Sequence, residues 1–426
     1  MKPYVSLNRE ELQNELAAVQ AKFEAIKAKK LNLDMSRGKP SAAQLDMVSD
    51  ILNVLTKPEQ CIVEGIDARN YGGLTGLPVA KKYFGEILDC DPECVYVAGN
   101  SSLSMMYSIV STGMAHGLYE SEKPWRELNG KPKFICPVPG YDRHFRILEA
   151  LGVEAVTVPM TPTGPDMDMV EELIKDEMVR GIWCVPKFSN PDGIIYSSET
   201  VHRLANMKPA AKDFVLMWDN AYCVHEFDTD FVPLEDIMSL CREAGRPNMV
   251  FQFASTSKIT FPGAGVAVMV ASEDNLQYLL QFIGTETISY NKINQLRHVL
   301  YLKNKEHTLE VMKKHARIMR PKFHMVLDTL DREIAPRGLA EWQRPKGGYF
   351  ISVNAMEGTA KRTLQLCQEA GVVMTPAGAT FPYGKDPRDS NIRVAPSLPP
   401  VSELEAAMEV FCICLRIAAL EKLLAE

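Results

Sequence analysis

The sequence lacks the cysteine and histidine spacings that are typical of structural metal sites. Its ten cysteines and eight histidines are scattered, with no C-x-x-C pair and no C-x-x-C followed by H-x-x-x-H. The closest pair, Cys412 and Cys414, lies in a helical pattern. We therefore expect reduced core thiols in a cytoplasmic protein, with no metal site and no disulfide framework.

Long apolar runs and an excess of positive charge are also missing. No stretch is long enough to cross a bilayer, and residues 1–30 alternate charged and apolar positions at helical spacing, unlike a signal peptide. The formal net charge is -7, which disfavours a general nucleic-acid binder. We predict neither a membrane partner nor a nucleic-acid partner.

The composition is that of an ordinary globular protein, with 46% apolar and 24% charged residues. A chain of 426 residues exceeds what one hydrophobic core usually supports. The sequence therefore predicts two domains around a cleft.

Short apolar runs alternate with helical patterns through the middle of the chain. The runs are continuously apolar, which is typical of strands that are covered on both faces in a mostly parallel α/β sheet. They lie at 95–99, 133–139, 154–160, 181–187, 214–220, 249–256 and 264–272. We predict a large domain over residues 50–300 with a mostly parallel seven-stranded sheet covered by helices.

The rest of the chain predicts a smaller α+β domain. A charged amphipathic stretch over 291–330 indicates a helical bridge out of the sheet domain. Beyond it, the pattern reads strand, helix, strand and helix, ending near residue 424. We expect residues 1–49 and 301–426 to pack together as this second domain.

Polar residues follow five of the predicted strands, where ligands bind in open α/β sheets. The segments are "GNSSLS", "PVPGY", "PKFSNPDG", "WDNAY" and "STSK". Each has an ordinary alternative, because Asn190 can mark a turn, Asp219 can cap a helix and Tyr141 can lie in a core. Their occurrence at successive strand ends favours a functional site.

Lys258 is the candidate nucleophile of that site. A lysine after a strand usually reaches solvent, but this one shares its sheet edge with the polar set, which favours a Schiff base with pyridoxal 5'-phosphate. Lys258 would hold the cofactor as an aldimine and, once released, move a proton at the substrate α-carbon. Asp219 would keep the pyridine nitrogen protonated, so that the ring accepts electrons.

The same segments offer groups for the rest of the cofactor. Tyr222 and Asn190 suit the ring hydroxyl, and Tyr141 can stack on the ring face. A phosphate requires hydroxyls and N–H groups at a helix start. The serines placed for this are Ser101, Ser102, Ser255 and Ser257.

The ordered set "YGGLTGLPVAK", "GNSS", "PVPGY", "SNPDG", "DNAY", "STSK" and "NIRVAPS" resembles the class I aminotransferases of PLP fold type I. The sequence looks most like the divergent bacterial aspartate aminotransferase subgroup, over nearly the whole chain. The resemblance implies transfer of an amino group from an L-amino acid, with aspartate expected, to 2-oxoglutarate by a ping-pong mechanism. Its partners would be the amino acid, the 2-oxo acid and a second copy of the chain.

Further roles come from the resemblance alone. It implies that Arg393 binds the substrate α-carboxylate beside Asn190, with a backbone contact from Gly38. It also implies that Tyr71 reaches the cofactor phosphate of the neighbouring subunit, in a homodimer with shared active sites. The segment "KITFPGAGVAV" departs from the family, because it lacks the arginine that usually grips the phosphate.

A dicarboxylate donor needs a second cation, since one guanidinium cannot pair bidentately with both carboxylates. The candidates are Arg37, Arg143, Lys292 and Arg297. Each has an alternative as a solvated or helix-pairing charge, and Lys292 and Arg37 are preferred.

Two other functions use the same residues. A β-lyase or decarboxylase needs the same lysine and aspartate, but an arginine on the α-carboxylate favours cleavage of the Cα–H bond. A non-catalytic regulatory module would carry a DNA-binding extension, whereas only one short amphipathic helix precedes "SRGKP". Both alternatives are disfavoured.

Overall fold

The structure is a computed structural model that describes residues 2–426. Its α-helices are α1 (Arg9–Lys27), α2 (Ala42–Met47), α3 (Pro78–Leu88), α4 (Ser102–Ala115), α5 (Asp142–Leu151), α6 (Met167–Leu173), α7 (Ser198–Asn206), α8 (Ile237–Glu243), α9 (Glu273–Glu286), α10 (Lys292–Leu302), α11 (Lys305–Glu333), α12 (Ala360–Glu369) and α13 (Val401–Ala425). Its strands are β1 (Leu33–Asp34), β2 (Ile62–Val63), β3 (Ile66–Asp67), β4 (Val95–Val97), β5 (Lys133–Val138), β6 (Glu154–Thr161), β7 (Gly164–Pro165), β8 (Val179–Cys184), β9 (Val215–Asp219), β10 (Val250–Ser255), β11 (Ala267–Val270), β12 (Ala340–Trp342), β13 (Ile351–Ala355), β14 (Val372–Val373) and β15 (Asn391–Val394).

The central sheet has the order β4-β11-β10-β9-β8-β5-β6-β7. Strands β6, β5, β8, β9 and β10 are parallel to one another, whereas β11 runs antiparallel to both of its neighbours. Seven of the eight strands correspond to the predicted runs, and the eighth, β7, adds a two-residue antiparallel edge. The predicted fold class is confirmed.

Both faces of the sheet are covered, which explains why its strands read as continuous apolar runs. Along β9, Leu216 and Trp218 belong to one core cluster, while Val215 and Met217 belong to the cluster on the opposite face. Because successive side chains alternate between faces, a strand that is covered on both faces is mostly apolar along its whole length.

A third core joins the two ends of the chain. Phe23 of α1, Phe323 of α11 and Phe411 of α13 pack in one cluster. In addition, β1 pairs in parallel with β14, which places Leu33 beside Val372. This packing supports the proposed small domain built from residues 1–49 and 301–426.

The predicted helical bridge over 291–330 is two helices rather than one. Lys303 adopts a positive φ of 62° and Asn304 is extended, with its side chain accepting a hydrogen bond from His307 N. Asparagine is a strong N-cap, so α11 starts afresh after the break. The short strand β12 was also not predicted.

None of the ten cysteines forms a disulfide, and Cys412 and Cys414 are buried in α13. Within residues 2–426, no helix has both the length and the apolar character needed to span a bilayer.

Candidate active site

A cavity of about 1070 Å³ lies at the carboxyl ends of the central strands. These ends meet at one edge because β4, β5, β8, β9 and β10 point the same way. The predicted residues that line it are Arg37, Gly38, Ser101, Ser102, Tyr141, Asn190, Asp219, Tyr222, Ser255, Ser257, Lys258 and Arg393. Arg143 also lines the cavity, but Tyr71, Lys292 and Arg297 do not.

Lys258 stands on a 3-10 turn directly after β10. The turn begins where Ser255 Oγ accepts a hydrogen bond from Ser257 N at 3.0 Å. Lys258 Nζ lies 5.0 Å from the centre of the Tyr222 ring and 5.7 Å from that of Tyr349. Desolvation by the surrounding protein lowers the pKa of Lys258, and the charge of Asp219 opposes that shift. This shift makes the neutral amine, which is the nucleophile and proton acceptor, easier to reach than it is for a lysine in water.

Asp219 ends β9 and keeps one oxygen without a partner. Its side chain is buried, and Oδ2 is hydrogen-bonded to His144 Nε2 at 3.0 Å. Oδ1 is buried and has no hydrogen-bond partner. Such an orphaned acceptor is costly, so it marks a position where a ligand N–H is expected. His144 is held by stacking on Trp183, with ring centres 4.3 Å apart.

Two tyrosines, the partly buried Tyr141 and the buried Tyr222, complete the wall around Asp219. Burial raises the pKa of Tyr141 to about 12, with a smaller contribution from the charge of Asp219. The pKa of Tyr222 is raised well above its ordinary value, again mainly by burial. Both hydroxyls therefore stay protonated at neutral pH and can donate hydrogen bonds to a ligand.

Hydroxyls cluster at the start of α4. Ser101 precedes the helix, which begins at Ser102 with unpaired N–H groups. Ser255 Oγ and Ser257 Oγ lie 2.6 Å apart, and Ser257 Oγ donates to Asn100 O at 3.3 Å. Hydroxyls beside a helix N-terminus suit a phosphate. The segment 259–268 contributes Pro262 but no cation to the lining.

Arg393 faces the cavity from β15. Nη1 donates to Asp142 Oδ1 at 3.0 Å and to Asn190 Oδ1 at 3.2 Å. Its Cζ lies 4.8 Å from the centre of the Phe350 ring. Gly38 lies against the same ring, because a Cβ at this position would come within 2.4 Å of Phe350 Cζ. The loop of "SRGKP" can approach Phe350 this closely only with glycine.

Lys292 does not line the cavity, in contrast to the other preferred candidate, Arg37. Its ammonium is buried and donates to Asn70 O at 2.7 Å and to Gly72 O at 2.6 Å. Lys292 therefore fastens the backbone on both sides of Tyr71, instead of lining the cavity as a cation for a substrate carboxylate. The Tyr71 side chain is 82% exposed. Arg297, on the same helix, hydrogen-bonds Asn294.

Two candidate cations remain at the cavity. Arg37 and Arg143 both line it and are exposed. Among residues 2–426, neither forms an ion pair with a carboxylate of the chain, in contrast to Arg146, which pairs with Glu149 at 2.9 Å. Both guanidinium groups are therefore available to a ligand.

Several residues of the site were missed from the sequence. His144 lies three residues after Tyr141 on the first turn of α5, and that helical spacing was a usable signal. No comparable signal marked Tyr349, whose hydroxyl accepts from Gln44 Nε2 at 3.2 Å. Gln44 in turn contacts His315 Nδ1 at 3.1 Å, so this network joins three distant segments.

Comparison with known proteins now identifies the family. The model of the family described as "Aspartate amino-transferase" matches residues 7–426. The chain belongs to the aspartate aminotransferase family. It is 44% identical to an aspartate aminotransferase of Corynebacterium glutamicum over 403 residues, which cover 95% of this chain and 93% of that protein.

Solved structures agree with this assignment. The crystal structure of an aspartate transaminase from Corynebacterium glutamicum matches with a TM-score of 0.95 at 43% identity, covering 98% of each chain. An α-aminoadipate aminotransferase from Thermus thermophilus matches with a TM-score of 0.75 at 23% identity, covering 96% of this chain and 98% of that one, and so shares the fold.

The protein is thus an aminotransferase of PLP fold type I, and pyridoxal 5'-phosphate is its cofactor. The cavity fits that cofactor in three respects. It offers an unpartnered carboxylate oxygen for the ring nitrogen, a desolvated amine for the aldehyde, and serine hydroxyls at a helix start for the phosphate.

Proposed function

We propose that the protein moves the amino group of L-aspartate to 2-oxoglutarate by a ping-pong mechanism in the cavity around Lys258. The observation that carries this proposal is that Lys258 and Arg393 line the same cavity. An amino acid presents an amine and an α-carboxylate, and these two side chains suit them. When bound, the cofactor supplies a carbonyl carbon for the amine and an electron sink for the α-carbon.

Lys258 is proposed to carry the proton. Because the pKa of Lys258 is lowered by desolvation, Nζ is more readily neutral at neutral pH. A neutral Nζ can accept the proton from the substrate α-carbon and return it later in the cycle. The aromatic rings of Tyr222 and Tyr349 border the amine and keep it desolvated.

Asp219 is proposed to bind the ring nitrogen of the cofactor through Oδ1. That oxygen is the one that His144 leaves free. His144 holds the other oxygen, so the carboxylate is oriented before the cofactor binds. An anion in this position favours the protonated ring nitrogen.

Arg393 is proposed to fix the α-carboxylate, and Arg37 the side-chain carboxylate. Arg37 is preferred over Arg143 because its neighbour Gly38 packs on the Phe350 ring that also contacts Arg393. With the α-carboxylate held by a guanidinium, the Cα–H bond is the one left free to break. This favours transamination over decarboxylation.

A second copy of the chain is proposed to complete each site. Tyr71 is 82% exposed on a loop that Lys292 holds in place. An exposed aromatic ring on a fixed backbone suits contact with a partner, which supports a homodimer in which Tyr71 reaches the phosphate of the neighbouring site. We also propose a cytoplasmic location, since all ten cysteines are unpaired.

A donor screen tests the proposed function. The holoenzyme is mixed with single amino acids, and the loss of the cofactor's visible absorbance is followed in each half-reaction. Aspartate and glutamate are expected to react fastest, and 2-oxoglutarate should restore the absorbance. A faster reaction with a neutral amino acid than with either dicarboxylate would contradict the substrate assignment.

A further inference from the structure

The guanidinium of Arg393 is paired with a carboxylate of the chain itself, that of Asp142. Nη1 donates to Asp142 Oδ1 at 3.0 Å and to Asn190 Oδ1 at 3.2 Å, so both of its N–H groups are engaged. Nε faces Thr375 Oγ1 at 3.4 Å. Nη2 hydrogen-bonds no protein group within residues 2–426. A ligand carboxylate that pairs with both Nη1 and Nη2 must therefore displace either Asp142 or Asn190. Because two carboxylates on one guanidinium repel each other whereas a neutral amide does not, Asp142 is the group expected to leave.

We propose that Asp142 competes with the substrate α-carboxylate for Arg393 and thereby sets the affinity of the site for carboxylate ligands. The proposal rests on the role of Arg393 in the proposed function. A ligand binds only if its contacts offset the loss of the Asp142–Arg393 pair. The competitor lowers the affinity of every ligand for this arginine by a similar factor. Simple carboxylates that lack an amine or a second carboxylate have few other contacts to offset this loss, so they bind too weakly to occupy the site.

The position of Asp142 allows it to leave Arg393. Its side chain is 31% exposed, whereas that of Arg393 is 8% exposed. Asp142 is also the first residue of α5, after the N-cap Tyr141. A displaced carboxylate would remain in water and near the helix N-terminus, which favours an anion. The competition therefore breaks a partly exposed ion pair, and it leaves no charge buried without a partner, because the ligand carboxylate takes the place of Asp142 on Arg393.

The rival role for the same contact is to orient Arg393. The two roles make opposite predictions, since loss of a competitor strengthens ligand binding and loss of a support weakens it. Asp142→Asn keeps the side-chain shape and an acceptor oxygen but removes the charge. Asp142→Ala removes both the charge and the acceptor.

The test measures binding of maleate, a dicarboxylate without an amine, to the holoenzyme by calorimetry. Both Asp142→Asn and Asp142→Ala are expected to lower the Kd about threefold to tenfold. The KM for aspartate should fall by a similar factor while kcat changes by less than about twofold. Asp168→Asn is the control, because Asp168 also lies in a first helical turn and pairs with an arginine, Arg203, at 2.6 Å but lies outside the cavity.

An unchanged or higher Kd for maleate in both Asp142 variants would overturn the inference. Arg393→Gln separates this failure from that of the proposed function. If Arg393→Gln weakens maleate binding and the Asp142 variants do not strengthen it, only the competition is wrong. If Arg393→Gln binds maleate as the wild type does, the role of Arg393 is wrong and both proposals fall.

Discussion

Asp219→Asn separates the chemistry of the site from its packing. The substitution keeps the volume of a side chain that is 4% exposed and removes its charge. The lost contact is a hydrogen bond to a charged group, which contributes about 1.5–3 kcal/mol. Since about 1.4 kcal/mol corresponds to tenfold in rate, kcat/KM is expected to fall between about tenfold and about a hundredfold.

The matched control is Asp213→Asn, in the turn that precedes the same strand. Asp213 Oδ2 accepts from Trp125 Nε1 at 2.7 Å, and Oδ1 pairs with Arg180, but Asp213 does not line the cavity. Its substitution should cost roughly 1–3 kcal/mol of unfolding free energy and leave kcat unchanged. Kinetics with aspartate and 2-oxoglutarate, together with urea unfolding, distinguish the two. An activity loss below about tenfold for Asp219→Asn would refute its role at the ring nitrogen.

Three further predictions concern other residues of the site and its surroundings. In the apoprotein, Lys258→Met should raise the unfolding free energy at neutral pH, because the pKa of Lys258 is lowered on folding and the wild type therefore loses stability by burying this amine. The stability advantage of the variant should shrink as pH rises towards 10.5. A difference in unfolding free energy that stays constant with pH would contradict the lowered pKa. Arg37→Gln should raise the KM for aspartate about tenfold and leave alanine turnover unchanged. If Arg37→Gln and Arg143→Gln both keep the preference of the wild type for aspartate over alanine, neither arginine binds the side-chain carboxylate. Burial lowers the pKa of His315 to about 4, so the folded state resists protonation and stability should fall as pH drops from about 6.5 to 4. In urea unfolding, His315→Gln should lose less stability over this interval than the wild type. An identical loss would contradict the lowered pKa of His315.

Local patterns in the sequence were enough to predict the sheet and most of the cavity. Strands covered on both faces leave a continuous apolar run, and a functional strand end leaves a polar residue where the run stops, as at Asp219 and Lys258. Since parallel strands end at one edge, these residues had to meet. The grouping of these residues around one cavity therefore followed from strand order and strand ends.

Contacts between segments that are far apart in the sequence could not be predicted from it. Lys292 is a cation near the predicted site, yet its ammonium donates to the carbonyl oxygens of Asn70 and Gly72. These residues lie 222 and 220 positions away in the sequence. The Asp142–Arg393 pair likewise spans 251 positions. Neither pairing leaves a local pattern, because charge and burial at one residue do not specify its partner.

The central claim is that Lys258 is the residue that bonds the cofactor. Borohydride reduction of the holoenzyme makes the bond between lysine and cofactor permanent, and mass spectrometry of the digested protein then locates it. A phosphopyridoxyl group on Lys258, and on no other lysine, is the predicted result. A label on a different lysine, with Lys258 unmodified, would contradict the account.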